Sequence, residues 1–500
     1  MSKNNSIEDK EAVKKQHQKG KLTAKERIQL LLDKDSFTEI NKDMELTSTN
    51  YDLQQKKKPG DGVITGYGKI NSKPVCIYAQ DFTFMGGSMG EVHNKKIAII
   101  QEHALQIGSP IIGLFDSGGA RIQEGVNSLD IGGKIFKNNT LASGVIPQIS
   151  IILGPCAGIA AYSPALTDFT FMTKKISYMF ITGPDVIKTI TGESIDFNNL
   201  GGSIAHNEKS GTASFITENE KDCFETIKLL LSYLPQNNME NPPIINTGDT
   251  PNRTNNRLKD IIPKDRKKSY DIKTVIEEIV DENTFLEVQP LYAQNAVIGL
   301  ARLNNQTIGI VANQTKILAG CLDINSSDKI ARFVRFCDSF NIPIINLVDV
   351  TGYLPGVNQE HNGIIRHGAK ILYAYSEATV PKISLVMRKA YGGAYIALVS
   401  KDMGFDKVIA WPDAEIAVMG PEQAVDIIYR KELKGKNANK TKRIKEYAEK
   451  FLNPEEAAKH GKVDIITEKK DTRKTLISCL EMLATKRERR PAKKHGNMPV

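Results

Sequence analysis

Short apolar runs alternate with amphipathic stretches along the whole chain. Residues 63–70 and 74–79 have the length and β-branched content of a strand hairpin. Apolar runs, among them the fully apolar 110–115 and the mostly apolar 149–153, are then separated by helical stretches. Strands that are apolar on both faces lie in sheets covered by helices, so the pattern predicts an α/β layered core.

Residues 1–35 have helical character. Within them, Thr23 followed by Glu26 forms a capping-box pattern, in which each side chain binds the other residue's backbone N–H at a helix start. A further helix is predicted over roughly residues 94–107.

One stretch, residues 388–396, joins an apolar run to a turn of small residues. The strand-like run 380–387 precedes it, and a glycine-glycine-alanine turn at 392–394 leads into a buried helix predicted to begin near residue 395. Backbone N–H groups at a helix start lack intrahelical partners and form the positive end of the helix dipole, where negative charge is favoured. The turn is therefore a candidate oxyanion hole, with a tight packing turn as the alternative.

The first half of the chain repeats in the second half. Matched positions keep a nearly constant separation, 233 for Gly66 with Gly299 and for Asp116 with Asp349, 235 for Gly158 with Gly393, and 237 for Gly183 with Gly420. A separation this long indicates a duplicated domain and not a short structural repeat. Two oxyanion holes are therefore predicted.

Each predicted hole uses two backbone N–H groups at the end of an apolar strand. In the first half these belong to Gly158 and Ile159, and in the second half to Gly393 and Ala394. Such donors stabilise negative charge that develops on a reacting oxygen.

The length of 500 residues is too great for a single core and predicts two domains. Residues 235–268 are rich in Pro, Asn, Lys and Asp, a composition typical of a linker. We therefore predict domains over residues 1–245 and 271–500, joined by a linker over 246–270.

Composition excludes several classes of protein. The net charge is +9, with a basic cluster at 486–495 that is interpreted as a solvated tail, because no nucleic-acid-binding module accompanies it. The six cysteines show no paired spacing and predict neither a disulfide framework nor a metal site. No uninterrupted apolar run reaches membrane length, and the N-terminal residues contain no secretory apolar region, so a cytoplasmic location is predicted.

Long motifs throughout the chain resemble the carboxyltransferase subunits of biotin-dependent acyl-CoA carboxylases. The propionyl-CoA carboxylase β subunit and the methylmalonyl-CoA decarboxylase α subunit are the most similar types. The resemblance rests on residues 20–27, 116–126, 142–148, 154–158, 320–325, 363–370, 388–395 and 491–497.

This resemblance implies two crotonase-like ββα-spiral domains, of which the first holds acyl-CoA and the second receives carboxybiotin. It also implies a ring-shaped homo-hexamer, with each active site between the N-domain of one subunit and the C-domain of another. The chain contains no Met-Lys-Met biotinylation motif and no evident ATP-grasp segment. Biotin is therefore expected on a separate partner, a biotin carboxylase or biotin carboxyl carrier subunit.

The resemblance also implies which residues form the two halves of the site. The residues predicted to bind the acyl-CoA substrate are Ser117, Gly118, Gly119, Ala120, Arg121, Ala157 and Ile396. Those predicted to bind biotin are Gly352, Tyr353, Lys389, Tyr391 and Gly392. For Arg121 a structural ion pair is an equally good alternative, and Asp116 and Asp349 are predicted to cap the turns that follow them.

Two residues depart from the family pattern. Ile159 stands where members commonly have glycine, and its side chain is expected to narrow the pocket. Ile396 stands where propionyl-selective members usually have aspartate, so substrate choice remains open; the alternative for Ile396 is a helix core position.

The predicted activity is transfer of CO2 from carboxybiotin to the α-carbon of propionyl-CoA or acetyl-CoA. Because the biotin nitrogen can take the α-proton, no side-chain base is required, and His361 and His367 are disfavoured in that role. The alternative is the reverse transfer, in the α subunit of a sodium-pumping methylmalonyl- or glutaconyl-CoA decarboxylase. A crotonase-type hydratase or isomerase and a basic nucleic-acid binder are remoter alternatives.

Overall fold

A computed structural model of the chain describes residues 2–434 and 439–499. The chain divides into two compact units, Met1–Glu240 and Asn241–Val500. Part of the stretch predicted as a linker packs within the second unit, where Leu258, Ile262 and Tyr270 are buried in the core. The predicted functional division between the two domains stays a prediction.

Each unit is built on one eight-stranded sheet. The strands of the first unit are β1 (Thr38–Ile40), β2 (Val63–Ile70), β3 (Lys73–Gln80), β4 (Ile111–Ser117), β5 (Gln148–Ala157), β6 (Phe169–Thr173), β7 (Tyr178–Phe180) and β8 (Phe215–Thr217). They lie in the order β1-β2-β3-β4-β5-β6-β8, and β7 pairs with the end of β5. The β1–β2 and β2–β3 pairs are antiparallel and the other pairs are parallel.

Helices accompany this sheet. They are α1 (Ser2–Gln18), α2 (Ala24–Leu31), α3 (Glu91–Ile107), α4 (Val126–Ala142), α5 (Tyr162–Leu166), α6 (Pro184–Thr191), α7 (Phe197–Gly201), α8 (Ser203–Glu208) and α9 (Glu220–Tyr233). The predicted capping box is confirmed, because the Thr23 side chain accepts from the Glu26 backbone and Glu26 accepts from the Thr23 backbone.

The second unit repeats the sheet, each strand corresponding to the one eight places earlier. Its strands are β9 (Leu286–Val288), β10 (Ala296–Leu303), β11 (Gln306–Asn313), β12 (Ile344–Val350), β13 (Lys382–Tyr391), β14 (Lys407–Ala410), β15 (Glu415–Ala417) and β16 (Ile465–Ile466). The order is β16-β14-β13-β12-β11-β10-β9, with β15 paired to β13. The α/β duplication predicted from the sequence is thus confirmed.

The helices of the second unit differ from those of the first mainly in number. They are α10 (Leu258–Ile261), α11 (Ile272–Ile279), α12 (Ile324–Ser339), α13 (Val357–His361), α14 (Ile364–Glu377), α15 (Gly392–Val399), α16 (Pro421–Ile428), α17 (Lys440–Phe451), α18 (Pro454–Lys459) and α19 (Thr472–Leu483). None of the described helices combines the length and apolarity that a membrane crossing requires.

The hairpin of each unit follows from its turn residues. Asn71 and Ser72 connect β2 to β3, and Asn304 and Asn305 connect β10 to β11; all four have positive φ. Two-residue turns with positive φ match the twist of the paired strands, and asparagine tolerates this conformation.

Two predicted boundaries near residue 390 are wrong. β13 continues to Tyr391, beyond the predicted end at 387, and α15 begins at Gly392 instead of near 395. The apolar pattern ends before the strand does, because Arg388 and Lys389 near its end carry charged side chains. These side chains form hydrogen bonds with other parts of the chain.

Candidate functional site

The turn after β5 is the first part of the candidate site. Ala157 ends the strand in extended conformation, and Gly158 then adopts a φ of +58° at the start of a short 3-10 helix, Gly158–Ala161. A positive φ is strained for residues with a Cβ, so glycine suits this corner. Residues 157–159 are only partly buried, which leaves the turn accessible.

The loop after β4 lies against this turn. A Cβ on Gly119 would sit 2.8 Å from the Ala157 carbonyl oxygen, so the glycine permits the close approach. Ser117 donates its hydroxyl to the Gly87 carbonyl and accepts from the Gly119 N–H. Ala120 pairs with Met89 in an isolated β-bridge. The predicted substrate residues 117–120 and 157 are therefore brought together.

Arg121 lies buried behind this loop. Its guanidinium donates to Asp61 at 2.7 Å, to Glu124 at 2.8 Å and to the Ser88 carbonyl at 2.9 Å. This is the ion-pair arrangement that stood as the alternative to phosphate binding, and it fixes the loop in place. A direct contact of Arg121 with substrate stays a prediction.

Asp116, the residue before this loop, is fixed by buried hydrogen bonds. Its buried carboxylate accepts from Lys21 at 2.7 Å, Arg27 at 2.9 Å and Gln16 at 2.9 Å. Arg27 also binds Glu220. The prediction that Asp116 caps the following turn is wrong, because its carboxylate binds cations that come from the N-terminal helices and the segment between them.

The turn after β13 is the second part of the candidate site. Tyr391 ends the strand with φ and ψ close to those of Ala157, and Gly392 has a φ of +56°. Gly392 therefore corresponds to Gly158, at a separation of 234 positions, and Gly393 corresponds to Ile159. The sequence match of Gly158 with Gly393 is wrong by one residue. The error arose because two adjacent glycines are indistinguishable in a sequence pattern.

Tyr353 lies over the second turn. It pairs with Leu322 as Ala120 pairs with Met89, and its hydroxyl donates to the Gly368 carbonyl at 3.4 Å. A Cβ on Gly393 would lie 3.5 Å from the ring, an ordinary contact distance. Burial raises the pKa of Tyr353 to about 12, so the hydroxyl remains protonated at neutral pH. Gly352, beside it, has a φ of +146°.

The side chains of Tyr391 and Lys389 form hydrogen bonds with residues outside the turn. Tyr391 donates its hydroxyl to Glu415, which also pairs with Arg266. The Lys389 ammonium donates to the Arg266 carbonyl at 3.1 Å, and burial lowers the pKa of this lysine. Sequence reasoning missed Arg266 because it falls in a stretch of linker composition, where no local pattern indicates tertiary contacts.

Asp349 anchors the second turn as Asp116 anchors the first. Its carboxylate accepts from Arg388 Nε at 2.7 Å, from the Tyr270 hydroxyl at 3.0 Å and from the Lys389 N–H at 3.3 Å. The Arg388 guanidinium also stacks on the Tyr270 ring at 4.7 Å. The predicted role as a simple turn cap is wrong here too, since two of the three donors come from the adjacent strand β13.

The two residues that depart from the family pattern have different surroundings, and the expected narrowing of the pocket by Ile159 stays a prediction. Ile159 packs against α4, and a Cβ on Gly132 would come within 2.4 Å of its Cδ1. Its side chain therefore points toward a helix of its own unit. Ile396 is 47% exposed, so the alternative of a helix core position is wrong.

The part of the chain that the structure describes offers few other groups for metal binding or acid–base catalysis. No group of three or more His, Cys, Asp or Glu side chains there could hold a metal ion. The His367 imidazole is bound by the Asp328 carboxylate at 2.9 Å and lies near Lys370. What remains at both sites is a strand end, a glycine corner and the N–H groups of a first helical turn, an arrangement suited to binding an oxyanion.

Comparison with known proteins agrees with this geometry. The family model of the carboxyl transferase domain matches residues 15–498. Among similar proteins, methylmalonyl-CoA decarboxylase subunit alpha of Veillonella parvula is 54% identical over 488 residues, covering 98% of this chain and 95% of that protein. The propionyl-CoA carboxylase carboxyltransferase subunit of Haloferax mediterranei is 54% identical over 488 residues, covering 97% and 95%.

A solved structure is similar over the same length. The crystal structure of transcarboxylase 12S, described as a hexamer assembly with methylmalonyl-coenzyme A and methylmalonic acid bound, gives a TM-score of 0.96 at 53% identity, covering 98% of this chain and 95% of that one. The chain belongs to the carboxyl transferase family. The predictions of a crotonase-type fold and of a carboxyltransferase activity are confirmed.

Proposed function

We propose that the chain moves a carboxyl group between biotin on a separate carrier and the α-carbon of a short acyl-CoA, propionyl-CoA or acetyl-CoA. The observation that carries this proposal is the matched pair of glycine corners, with φ values of +58° and +56° at Gly158 and Gly392. Carboxyl transfer develops negative charge on two oxygens, one on the thioester and one on the biotin ureido group. Two preorganised donor sites in one chain suit two such oxygens.

The first unit is assigned the thioester. The N–H groups of Gly158 and Ile159 would bind its oxygen as the enolate forms, while the loop of Ser117 to Ala120 packs beside it. Arg121 serves this loop by fixing its backbone through Asp61 and Glu124.

The second unit is assigned biotin. The N–H groups of Gly393 and Ala394, which lie one position further along the turn than the Gly158 and Ile159 pair of the first unit, would bind the ureido oxygen, and Tyr353 would cover the ring. Tyr391 and Lys389 hold the turn through Glu415 and the Arg266 carbonyl. Biotin, when bound through its carrier, supplies the nitrogen that carries the carboxyl group.

The transfer balances without a side-chain base. In the carboxylation direction carboxybiotin would supply CO2 by breaking its N–C bond, and its nitrogen would take the proton lost from the α-carbon as the C–C bond to CO2 forms. In the reverse direction each step runs backwards. His367, whose Nδ1 is bound by Asp328 and lies near Lys370, is assigned no proton transfer.

The assembly is proposed to be a homo-hexamer in which each site combines the first unit of one subunit with the second unit of another. The transcarboxylase 12S structure, which is described as a hexamer assembly and is 53% identical, supports the hexamer. Large apolar side chains near both turns are consistent with an interface there, since Ile181 is 53% and Val418 75% exposed. The proposed partner is a biotin carboxylase or biotin carboxyl carrier subunit, and the proposed location is the cytoplasm.

The test uses the purified chain with free biotin. We expect biotin-dependent release of CO2 from malonyl-CoA or methylmalonyl-CoA, measured as acetyl-CoA or propionyl-CoA formed, with a biotin-free reaction as the control. A folded protein that turns over neither substrate would contradict the proposal.

The second candidate is the α subunit of a sodium-pumping decarboxylase, which runs the same transfer in reverse. The 54% identity to the Veillonella parvula decarboxylase subunit supports it as much as the 54% identity to the Haloferax mediterranei carboxylase subunit supports the first candidate. Co-purification distinguishes the two: a biotin carboxylase partner supports the carboxylase, and a polytopic membrane partner supports the decarboxylase.

A further inference from the structure

The loop and the turn of each unit carry two corresponding positions beside one another. On the loop these are Ala120 and Tyr353, which occupy the same place in equivalent β-bridges. On the turn they are Ile159 and Gly393, each the residue after the glycine of positive φ. Each unit thus has one large and one small residue, but in opposite places.

In both units the large side chain occupies a notch made by a helix glycine. In the first unit it comes from the turn: Ile159 Cδ1 lies 2.4 Å from where a Cβ on Gly132 of α4 would be. In the second unit it comes from the loop: Tyr353 Cε1 lies 2.9 Å from where a Cβ on Gly368 of α14 would be. A helix glycine therefore receives a large side chain in both units, from the turn in the first unit and from the loop in the second.

We propose that the Ile159 side chain is a specificity-determining wall of the acyl site, which restricts the substituent on the α-carbon to a small group. This inference rests on the proposed function, in which the Ile159 N–H binds the thioester oxygen. The α-carbon is bonded to the same carbonyl carbon, so its substituent lies within reach of the side chain at position 159. Ala120, the corresponding residue of the loop, is small, so Ile159 is the larger of the two side chains in this unit.

Substitutions at Ile159 and Gly132 are expected to change the size of the acyl site in opposite directions. Ile159→Ala keeps the backbone N–H and opens the space in front of Gly132, and Ile159→Val opens it partly. Gly132→Ala acts oppositely, because the new methyl group would overlap Ile159 Cδ1 and displace the side chain. The matched control is Gly133→Ala on the same helix, where a Cβ meets nothing within 4 Å.

The measurement is kcat/KM for CO2 release from malonyl-, methylmalonyl- and ethylmalonyl-CoA with free biotin. One methylene in an apolar pocket changes discrimination about tenfold or more. We therefore expect Ile159→Ala to raise the ethylmalonyl-to-malonyl ratio about tenfold and Ile159→Val to raise it less. Gly132→Ala should lower the methylmalonyl-to-malonyl ratio, and Gly133→Ala should leave the profile unchanged.

Unchanged ratios in all three wall variants, with an active wild-type chain, would overturn the inference and leave the proposed function standing. A wild-type chain inactive on every substrate would reject the proposed function, and the inference with it. If Ile159→Ala does not fold, Ile159→Val and Gly132→Ala decide the question between them, since they predict opposite shifts.

Discussion

The two units hold their turns with the same kind of anchor, built from different parts of the chain. In the first unit, Asp116 is bound by two cations, Lys21 and Arg27, from outside the sheet. In the second, Asp349 is bound by a single cation, Arg388, from the neighbouring strand. A buried carboxylate below the turn is thus common to both units, while the source of its positive charge differs.

The difference is explained by one strand position. Gly154 of β5 corresponds to Arg388 of β13, 234 residues later, as the strand registers show. A Cβ on Gly154 would come within 1.9 Å of Asp116 Oδ1, so the strand leaves room for donors that arrive from elsewhere. The two units thus keep the buried carboxylate but not the residues that neutralise it.

The largest effect is expected from removing Arg388, the one cation that pairs with Asp349 among the residues the structure describes. Arg388→Met leaves that carboxylate buried without its ion pair and should lower the free energy of unfolding by about 3–5 kcal/mol. Lys21→Met should lower it by roughly 1–2 kcal/mol, because Arg27 still binds Asp116. Urea unfolding of the two variants checks this, and equal losses would show that one cation suffices in both units.

Gly393, the residue after the second glycine corner, tests the role of the backbone donor. Gly393→Pro removes an N–H and should reduce the transfer rate about 10²–10³-fold. Gly393→Ala keeps the N–H and places its methyl 3.5 Å from Tyr353, so it should retain activity within a few-fold.

His367→Ala should also retain most activity; an inactive but folded His367→Ala variant would reinstate a side-chain base. Rates with free biotin and methylmalonyl-CoA decide between these outcomes.

A buried lysine on α3 of the first unit and another on α12 of the second give a third comparison. Lys329 donates to the carbonyls of Gln289, Tyr292 and Ala296 at 2.7–2.9 Å, and Lys96 donates to those of Gly60 and Val63. Lys329→Met leaves more acceptors unpaired and should cost about 3 kcal/mol of stability, against roughly 2 kcal/mol for Lys96→Met. Thermal or urea unfolding measures the difference, and a larger loss in Lys96→Met would contradict the comparison.

The same lysines predict how stability depends on pH. Burial lowers the pKa of Lys329 to about 7 and that of Lys96 to about 8, while an unfolded lysine titrates near ~10.4. Unfolding therefore takes up protons between these values, and stability should rise with pH from about 7 to about 10. Unfolding midpoints at pH 7 and 9 test this, and the slope should flatten in Lys329→Met.

A smaller effect is expected at Ile396, which corresponds to Tyr162 of the first unit and is similarly exposed. Ile396→Asp should shift the acyl profile toward propionyl-CoA by roughly tenfold or less, about 1.4 kcal/mol. Tyr162→Phe is the matched control and should leave the profile unchanged. An unaltered profile in Ile396→Asp would remove this position as a selector.

The smallest effect is expected at Gln101 on α3, which corresponds to Val334 on α12. Both polar atoms of the Gln101 side chain are buried without a hydrogen-bond partner among the described residues. Gln101→Val should therefore stabilise the protein by about 1 kcal/mol. A lowered melting temperature would show that the amide has a partner in the assembled protein.

Much of the fold could be predicted because its signals are local. Turn residues, apolar strands and the Thr23 capping box lie close together in sequence, and the duplication follows from repeated motifs. The ligands of Asp116 and the contact of Ile159 with Gly132 could not be predicted, because nothing near these residues indicates which distant segment packs on them. Likewise, the one-residue error at Gly392 is resolved by its backbone conformation, which two adjacent glycines do not reveal.

The two anchors also differ in how the chain assembles them. Asp116 meets Arg27 and Lys21 across 89 and 95 residues, whereas Asp349 meets Arg388 across 39. Closing the longer loop costs about 0.7 kcal/mol more in chain entropy, and contacts between distant segments form more slowly. The turn of the second unit should therefore reach its final geometry earlier during folding, while that of the first waits for the N-terminal helices to dock.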